Sequence, residues 1–335
     1  MPVISICCTT YNHELYIAEA IDGFLMQETD FPFEILIRDD CSTDGTDEIV
    51  KQYADRYPNL IKPVFEKENQ YSKGVKAMPV LLKKALGKYI ALCEGDDYWS
   101  DPFKLCIQIE KMADQPKCNM SFHPAKEMSD DAIGKTIASH SNKDMVFTTS
   151  EIILGGGEFC PTASLIFIKK SILNLPDWFY TEAPVADHYL QIFGSLNGGA
   201  LFINRNMSIY RTGHPGSWIS AMMERDRISV ESLIENRERH TFRHVKALNE
   251  IGKCIDRKHR KAIDRKISDR LFTLSILYLK NDMYKEFQMM VVRSNDACKS
   301  VSLSHNILYY LRVAPYILKI MIKLRKTISS SLSLV

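Results

Sequence analysis

The 335-residue sequence has no apolar run approaching the roughly 20 residues that a membrane-spanning helix needs. Its opening, "MPVISICCTT", has no basic region ahead of a short apolar run, so a signal peptide is not expected there. No Gly-x-Gly-x-x-Gly follows that run, and no Gly-x-x-x-x-Gly-Lys-Ser/Thr occurs anywhere. A dinucleotide-dependent dehydrogenase and a P-loop nucleotidase are both disfavoured. The nine cysteines are odd in number and form no Cys-x-x-Cys pair, which argues against a disulfide framework and a structural zinc site. A reducing cytosol is the simplest setting for such thiols. Excess charge of either sign is also missing: the net charge of +2 points to no nucleic-acid partner.

What is present is the composition of a soluble globular protein, 45% hydrophobic and 25% charged, long enough for one large domain or about two ordinary ones. The first hundred residues alternate strand and helix signals. "VISICC" (3–8) is a continuous β-branched and apolar run, followed by helical spacing at Ile17, Ala20, Ile21, Phe24 and Leu25. "FEILIR" (33–38) predicts a second strand, and "STDGTDEIVKQYADRY" a capped helix with an acidic first turn. "LIKPVFE" predicts a third strand, at an edge because of Pro63. A helix over about 75–86 leads to a fourth strand, "YIALCE". This order predicts an α/β fold, a mainly parallel sheet with helices on both faces.

Further on, 101–115 is expected to be helical, and "NMSFH" (119–123) and "TASLIFIKK" (162–170) to be strands. The polar stretch of about 124–160 is expected to be a loop-rich insertion, and "GALFINRNMSIYR" (199–211) a last β signal of hairpin type. From about 222 the sequence becomes charge-dense with helical apolar spacing, predicting a boundary between 1–221 and a C-terminal helical region, 222–335. Its last stretch, 306–335, carries Arg312, Lys319, Lys323, Arg325 and Lys326 and no acid. Two readings stay open for it: a basic amphipathic helix on an anionic membrane surface, or packing on its own domain or a second subunit. Pro315 is expected to kink or restart the helix.

Ligands of open α/β sheets bind beyond the carboxyl ends of the strands. Those ends carry "TTYN" (9–12), "DDCSTDG" (39–45) and "EGDDYW" (94–99). Six acids converging at one edge repel unless something positive lies between them. A hard divalent cation, Mg2+ or Mn2+, fits such carboxylates, with a phosphate of a nucleotide or another phosphorylated substrate completing its shell. The competing reading of "EGDDYW" is a solvated acidic turn.

"VISICCTTYN", "FEILIRDDCSTDGT" and "GKYIALCEGDDYWSDPFKL" resemble, in order and spacing, the successive motifs of glycosyltransferase family 2, over roughly residues 1–220. The resemblance implies the A-type nucleotide-sugar transferase fold, which is Rossmann-like. It implies that Thr9 and Tyr11 border the nucleotide base and that Asp40 accepts from a uracil-type ring N–H, with Asp39 supporting the loop. Asp96 matches the last acid of the family's Asp-x-Asp motif, with Asp97 beside it; either or both meet the cation and diphosphate. Glu94 stands where the family has its first Asp. Asp187 is implied as the base that deprotonates the acceptor hydroxyl, with Glu182 in reserve, or else as a helix cap. "YRTGHPGSW" (210–218) is similar to the family's segment after the last strand: Arg211 or His214 against the diphosphate, His214 within reach of the metal, and Trp218 bounding the acceptor or simply packing.

The expectation is therefore a metal-dependent, inverting glycosyltransferase. It would use a nucleotide-diphosphate sugar, with UDP favoured, and an acceptor hydroxyl on a glycan or lipid-linked saccharide, at the cytoplasmic face of a membrane. Two other classes compete. A sugar-phosphate nucleotidyltransferase needs a Gly-rich basic loop that "TTYNHE" does not supply; a non-catalytic nucleotide-sugar-binding protein has no need of Asp187.

Overall fold

The computed structural model describes residues 1–129, 132–214, 217–299 and 301–319. The chain divides into two compact units, Met1–Ala221 and Met222–Val335.

The first unit opens with β1 (Ile4–Thr10), α1 (Ile17–Leu25), β2 (Phe33–Asp39), α2 (Thr46–Arg56), β3 (Ile61–Phe65), α3 (Ala77–Lys84) and β4 (Tyr89–Glu94). It continues through β5 (Tyr98–Trp99), α4 (Lys104–Asp114), β6 (Met120–Phe122), β7 (Ala125–Ser129), β8 (Ala132–Ile137), β9 (Met145–Phe147) and α5 (Thr149–Gly155). Then come β10 (Ile166–Ile168), α6 (Asp177–Thr181), α7 (Asp187–Ser195), β11 (Ala200–Phe202) and β12 (Ser208–Arg211). Eight strands form one sheet in the order β3-β2-β1-β4-β10-β6-β11-β9, and four form a second, β5-β12-β7-β8.

Only the β3-β2-β1-β4 half is uniformly parallel; β10 runs antiparallel to β4 and to β6. β3, with Pro63, is an edge strand as its proline requires. Alternation decides the layers. Ile4, Ile6 and Cys8 of β1 join Ile35 and Ile37 of β2 and bury against α1, α2 and α4 residues such as Phe24, Val50 and Leu105. The opposite face meets α3, and α7, whose Gly194 lies on Phe167. Central strands covered on both faces must be largely apolar, which is why 89–93 is an unbroken apolar run and 3–8 is broken only by Ser5, whose buried hydroxyl donates to Glu34.

Three expectations needed correction. The stretch 124–160 is not mainly loop: it holds the β7–β8 antiparallel pair, β9 and α5, the last started by a capping box between Thr148 and Glu151. Residues 199–211 are not a hairpin, because β11 joins the large sheet and β12 the small one. Only Ile166–Ile168 of 162–170 is strand, 162–164 being a 3-10 turn.

α8 (Trp218–Ile228) precedes the second unit's long helices, α9 (Val230–Cys254), α10 (Arg260–Lys280), α11 (Tyr284–Ala297) and α12 (Leu303–Tyr310). Ala247, Leu248, Ile251, Ile263, Leu271, Phe287 and Met290 form its buried interior. A hydrogen bond of 2.9 Å between the buried Ser268 and Ser294 hydroxyls ties α10 to α11. Helix restarts at Pro315, a position where the missing N–H costs nothing; 320–335 lie outside the described residues.

Candidate active site

Strand register assembles the site. Thr9 pairs with Glu94 on one side and Arg38 on the other, and Thr10 pairs with Asp39. The three acidic or hydroxyl-rich strand ends therefore emerge side by side. The first two loops are pinned together. Asn12 N–H donates to Ser42 Oγ (2.9 Å), Thr43 N–H to Asn12 Oδ1 (2.8 Å), and His13 N–H to Thr46 Oγ1 (2.8 Å). Asn12 and Cys41 hold left-handed backbone, φ 55° and 63°, in these loops.

The acids of the second loop serve the protein's own structure. Asp39 accepts from the N–H (3.0 Å) and the hydroxyl of Ser42; burial outweighs those bonds and raises its pKa. Asp40 accepts from the N–H groups of Gln70 (3.1 Å) and Tyr71 (2.9 Å) and pairs with the buried Arg38 (3.0 Å). Three of its roughly four lone-pair sites are thus used, and Oδ2 keeps one.

The acids of the third loop differ. Glu94, Asp96 and Asp97 each present an oxygen within 4.8 Å of the others. Asp97 is buried; its Oδ1 accepts from Arg211 N–H at 2.9 Å, but Oδ2 has no hydrogen-bond partner, and neither does Asp96 Oδ1. Burial, then Asp96 and Glu94, push the Asp97 carboxyl well above the usual range. Glu94 is open to solvent yet crowded by protein; that crowding, then Asp96 and Asp187, push its carboxyl up to about 8. Burial would also raise Asp96, but the His214 hydrogen bond and the charges of His13 and His214 outweigh it and bring it below the ordinary value. Three hard oxygen donors with two buried, unpartnered oxygens fit a divalent cation.

Gly95 makes the crowding sterically feasible: a Cβ there would lie 2.7 Å from Thr10 Oγ1 and 2.9 Å from His13 Nδ1. His214 Nε2 lies 3.1 Å and His13 Nε2 3.8 Å from Asp96 Oδ2. Arg211 is buried. Its guanidinium bonds the Asp96 carbonyl (2.6 Å) and Glu19, and lies 4.9 Å from the ring centres of both Tyr16 and Tyr98. It clamps the acidic turn from behind.

Asp187 opens α7 at its first helical position, so it is not the cap; that residue is Ala186. Burial raises its carboxyl against the N–H groups of His188 and Asp187, and Oδ1 has no partner. Asp187 also adds to the upward push on Glu94. Gly157, from the "GGG" of the insertion, abuts it: a Cβ there would stand 3.0 Å from Asp187 Oδ2. Glu182 ends α6, its N–H on the Trp178 carbonyl (2.8 Å), and the adjacent Ala183 carbonyl takes Lys76 Nζ at 2.5 Å. Tyr11 is exposed at the mouth of the first loop, with Thr9 half-buried behind it. Trp218 begins α8, and its side chain lies outside what is described.

Four contributors escaped sequence reasoning: His13, Tyr16, Glu19 and Tyr210. Burial raises the Tyr210 phenol, and the negative charges of Asp97, Glu94, Asp96 and Asp187 add to that rise. His13 was detectable, since it directly follows "TTYN" at a strand's carboxyl end; Glu19 and Tyr16 gave no such signal.

The family model described as Glycosyl transferase family 2 matches residues 5–174. An uncharacterized protein of Mycobacterium tuberculosis (strain ATCC 25618 / H37Rv) is 33% identical over 293 residues, 82% of each chain. The poly(ribitol-phosphate) beta-N-acetylglucosaminyltransferase TarS of Staphylococcus aureus (strain MW2) is 37% identical over 101 residues, 29% of this chain and 17% of that protein. A crystal structure of S. aureus TarS 1-349 in complex with UDP-GlcNAc superposes with a TM-score of 0.54, covering 90% of this chain and 91% of that one. At 17% identity that likeness is one of fold, the glycosyltransferase A type.

Proposed function

The chain belongs to glycosyltransferase family 2, and we propose that it is an inverting, divalent-metal-dependent enzyme moving a sugar from a UDP-sugar to an acceptor hydroxyl on a glycan or lipid-linked saccharide. The observation that carries this reading is the Glu94–Asp96–Asp97 cluster, whose oxygens lie within 4.8 Å of one another with a buried, unpartnered oxygen on each of Asp96 and Asp97. The TarS likeness supports UDP as the nucleotide.

Residues 1–221 hold the donor. Tyr11 stacks on the base, Thr9 borders it, and the remaining lone pair of Asp40 Oδ2 takes the uracil N–H, while Asp39 holds the loop. Asp96 and Asp97, with Glu94, hold Mn2+ or Mg2+; His214 orients Asp96 through Oδ2. When bound, such a cation neutralises charge developing on the diphosphate. Asp187 takes the acceptor proton as the hydroxyl attacks the anomeric carbon opposite the leaving diphosphate. A carboxyl raised toward neutrality is the better base for that task. Glu182 and Trp218 flank the acceptor side.

Donor hydrolysis and transfer with manganese, screened over UDP-, GDP- and dTDP-sugars, test the reading. No turnover with any donor, together with no nucleotide binding by calorimetry, overturns it. Asp187→Asn is expected to lower kcat by about 10²–10⁴ with UDP affinity nearly intact. An equal loss of UDP binding would remove Asp187 from the role of base.

A further inference from the structure

After α5 the chain enters a 3-10 turn, Gly157–Phe159, and leaves it at Cys160. Side chains from elsewhere take up the carbonyls of that turn. Gln191, fully buried on α7, donates through Nε2 to the Gly157 carbonyl (3.0 Å) and to the Cys160 carbonyl (3.1 Å), so one amide holds both ends. His140 Nε2 lies 2.7 Å from the Phe159 carbonyl between them, its ring stacked on Phe159 with centres 3.9 Å apart.

Gln191 also stands one helical turn after Asp187, so the two side chains share a face of α7. Both converge on Gly157. Gln191 bonds its carbonyl, and Asp187 Oδ2 lies 3.0 Å from where a Cβ on that glycine would stand. The other carboxylate oxygen, Oδ1, has no partner, and neither has the buried Oε1 of Gln191. A buried amide oxygen without a partner is costly, so this glutamine is not placed for its own satisfaction. What its position achieves is to pin the turn.

We infer that Gln191 is a positioning residue of the transferase site: by pinning residues 157–160 it seats Gly157 against Asp187 Oδ2 and keeps Oδ1 directed at the acceptor hydroxyl. The inference rests on the reading of Asp187 as the base. A base works only within hydrogen-bond reach of the proton it takes, and a misplacement of about 1 Å costs about 10²-fold in rate. Gly157 serves as a stop for the carboxylate, and Gln191 keeps that stop in place.

The test uses the full chain with manganese and the UDP-sugar that turns over in the donor screen. Gln191→Met nearly conserves volume and loses both donors. It is expected to lower kcat about 10–100-fold with UDP affinity by calorimetry unchanged, and to speed amide exchange across 157–160. Gly157→Ala reaches the same carboxylate from the turn and leaves α7 untouched, so it serves even where the first variant folds poorly. Its Cβ should lower kcat about tenfold with the far-UV spectrum and UDP affinity of the parent. In an Asp187→Asn background neither change should reduce the residual rate further, because the group being positioned is gone. A further loss there by the same factor marks a merely structural glutamine and overturns the inference. Unaltered exchange across 157–160 in Gln191→Met overturns it too. So does a parental kcat in both variants where Asp187→Asn abolishes transfer. Full transfer by Asp187→Asn instead overturns the base assignment, and the inference with it.

Discussion

Two acidic loops lie side by side at the carboxyl edge of the parallel half-sheet, and they are built oppositely. After β2, Asp39 and Asp40 have their oxygens engaged by Ser42, Gln70, Tyr71 and Arg38. After β4, Asp96 and Asp97 each keep a buried oxygen with no partner, and Glu94 crowds them. A buried carboxylate without hydrogen bonds or an opposite charge is costly. The contrast separates acids whose oxygens are largely engaged within the protein from acids left with buried, unpartnered oxygens, although "RDDCS" and "EGDDYW" look alike in composition.

The largest effect that could break this contrast comes from Asp97→Asn. The isosteric change keeps an acceptor for Arg211 N–H but removes the negative oxygen. Activity is expected to fall about 10²–10³-fold with loss of manganese affinity, while the metal-free protein melts higher. A variant that retained metal affinity would make the two loops equivalent. Gly95→Ala comes next: the Cβ strikes Thr10 and His13, displaces the turn and costs about 1–3 kcal/mol by urea titration. Asp40→Asn should cost both stability and UDP affinity. It weakens the pair to Arg38 and turns an amide toward backbone N–H groups, for about 1–3 kcal/mol, leaving the metal response in place.

The smallest effect is a pH slope. Glu94 is raised to about 8, so the folded protein holds this proton more tightly than the unfolded chain does. Metal-free stability should then fall as pH rises from the ordinary Glu range, about 4.3, toward 8. Glu94→Gln should flatten the slope in thermal melts. Saturating manganese should reverse it, since the cation binds the ionised carboxylates.

Much of this was legible beforehand because it rests on local rules. Ile4–Cys8, apolar but for Ser5, and Tyr89–Cys93, apolar throughout, had to be central strands, and Pro63 had to mark an edge. The hairpin of 125–137 was hidden because polar, exposed strands carry no strong alternation. β11 and β12 looked like partners since sequence proximity usually means pairing, and only their membership in different sheets separates them. Asp187 was visible through family resemblance. Its neighbour Gly157, thirty residues earlier, could only be found once the chain returned on itself.

The sequence by itself determined which residues end the strands, since hydrophobic run length and turn residues are local, and so determined that acids gather at one edge. Tertiary structure decided which of those acids are satisfied. That depends on where Gln70, Tyr71, Arg211 and His214 arrive, and a carboxylate's partners come from whichever backbone or side chain lies within about 3 Å, however distant in sequence.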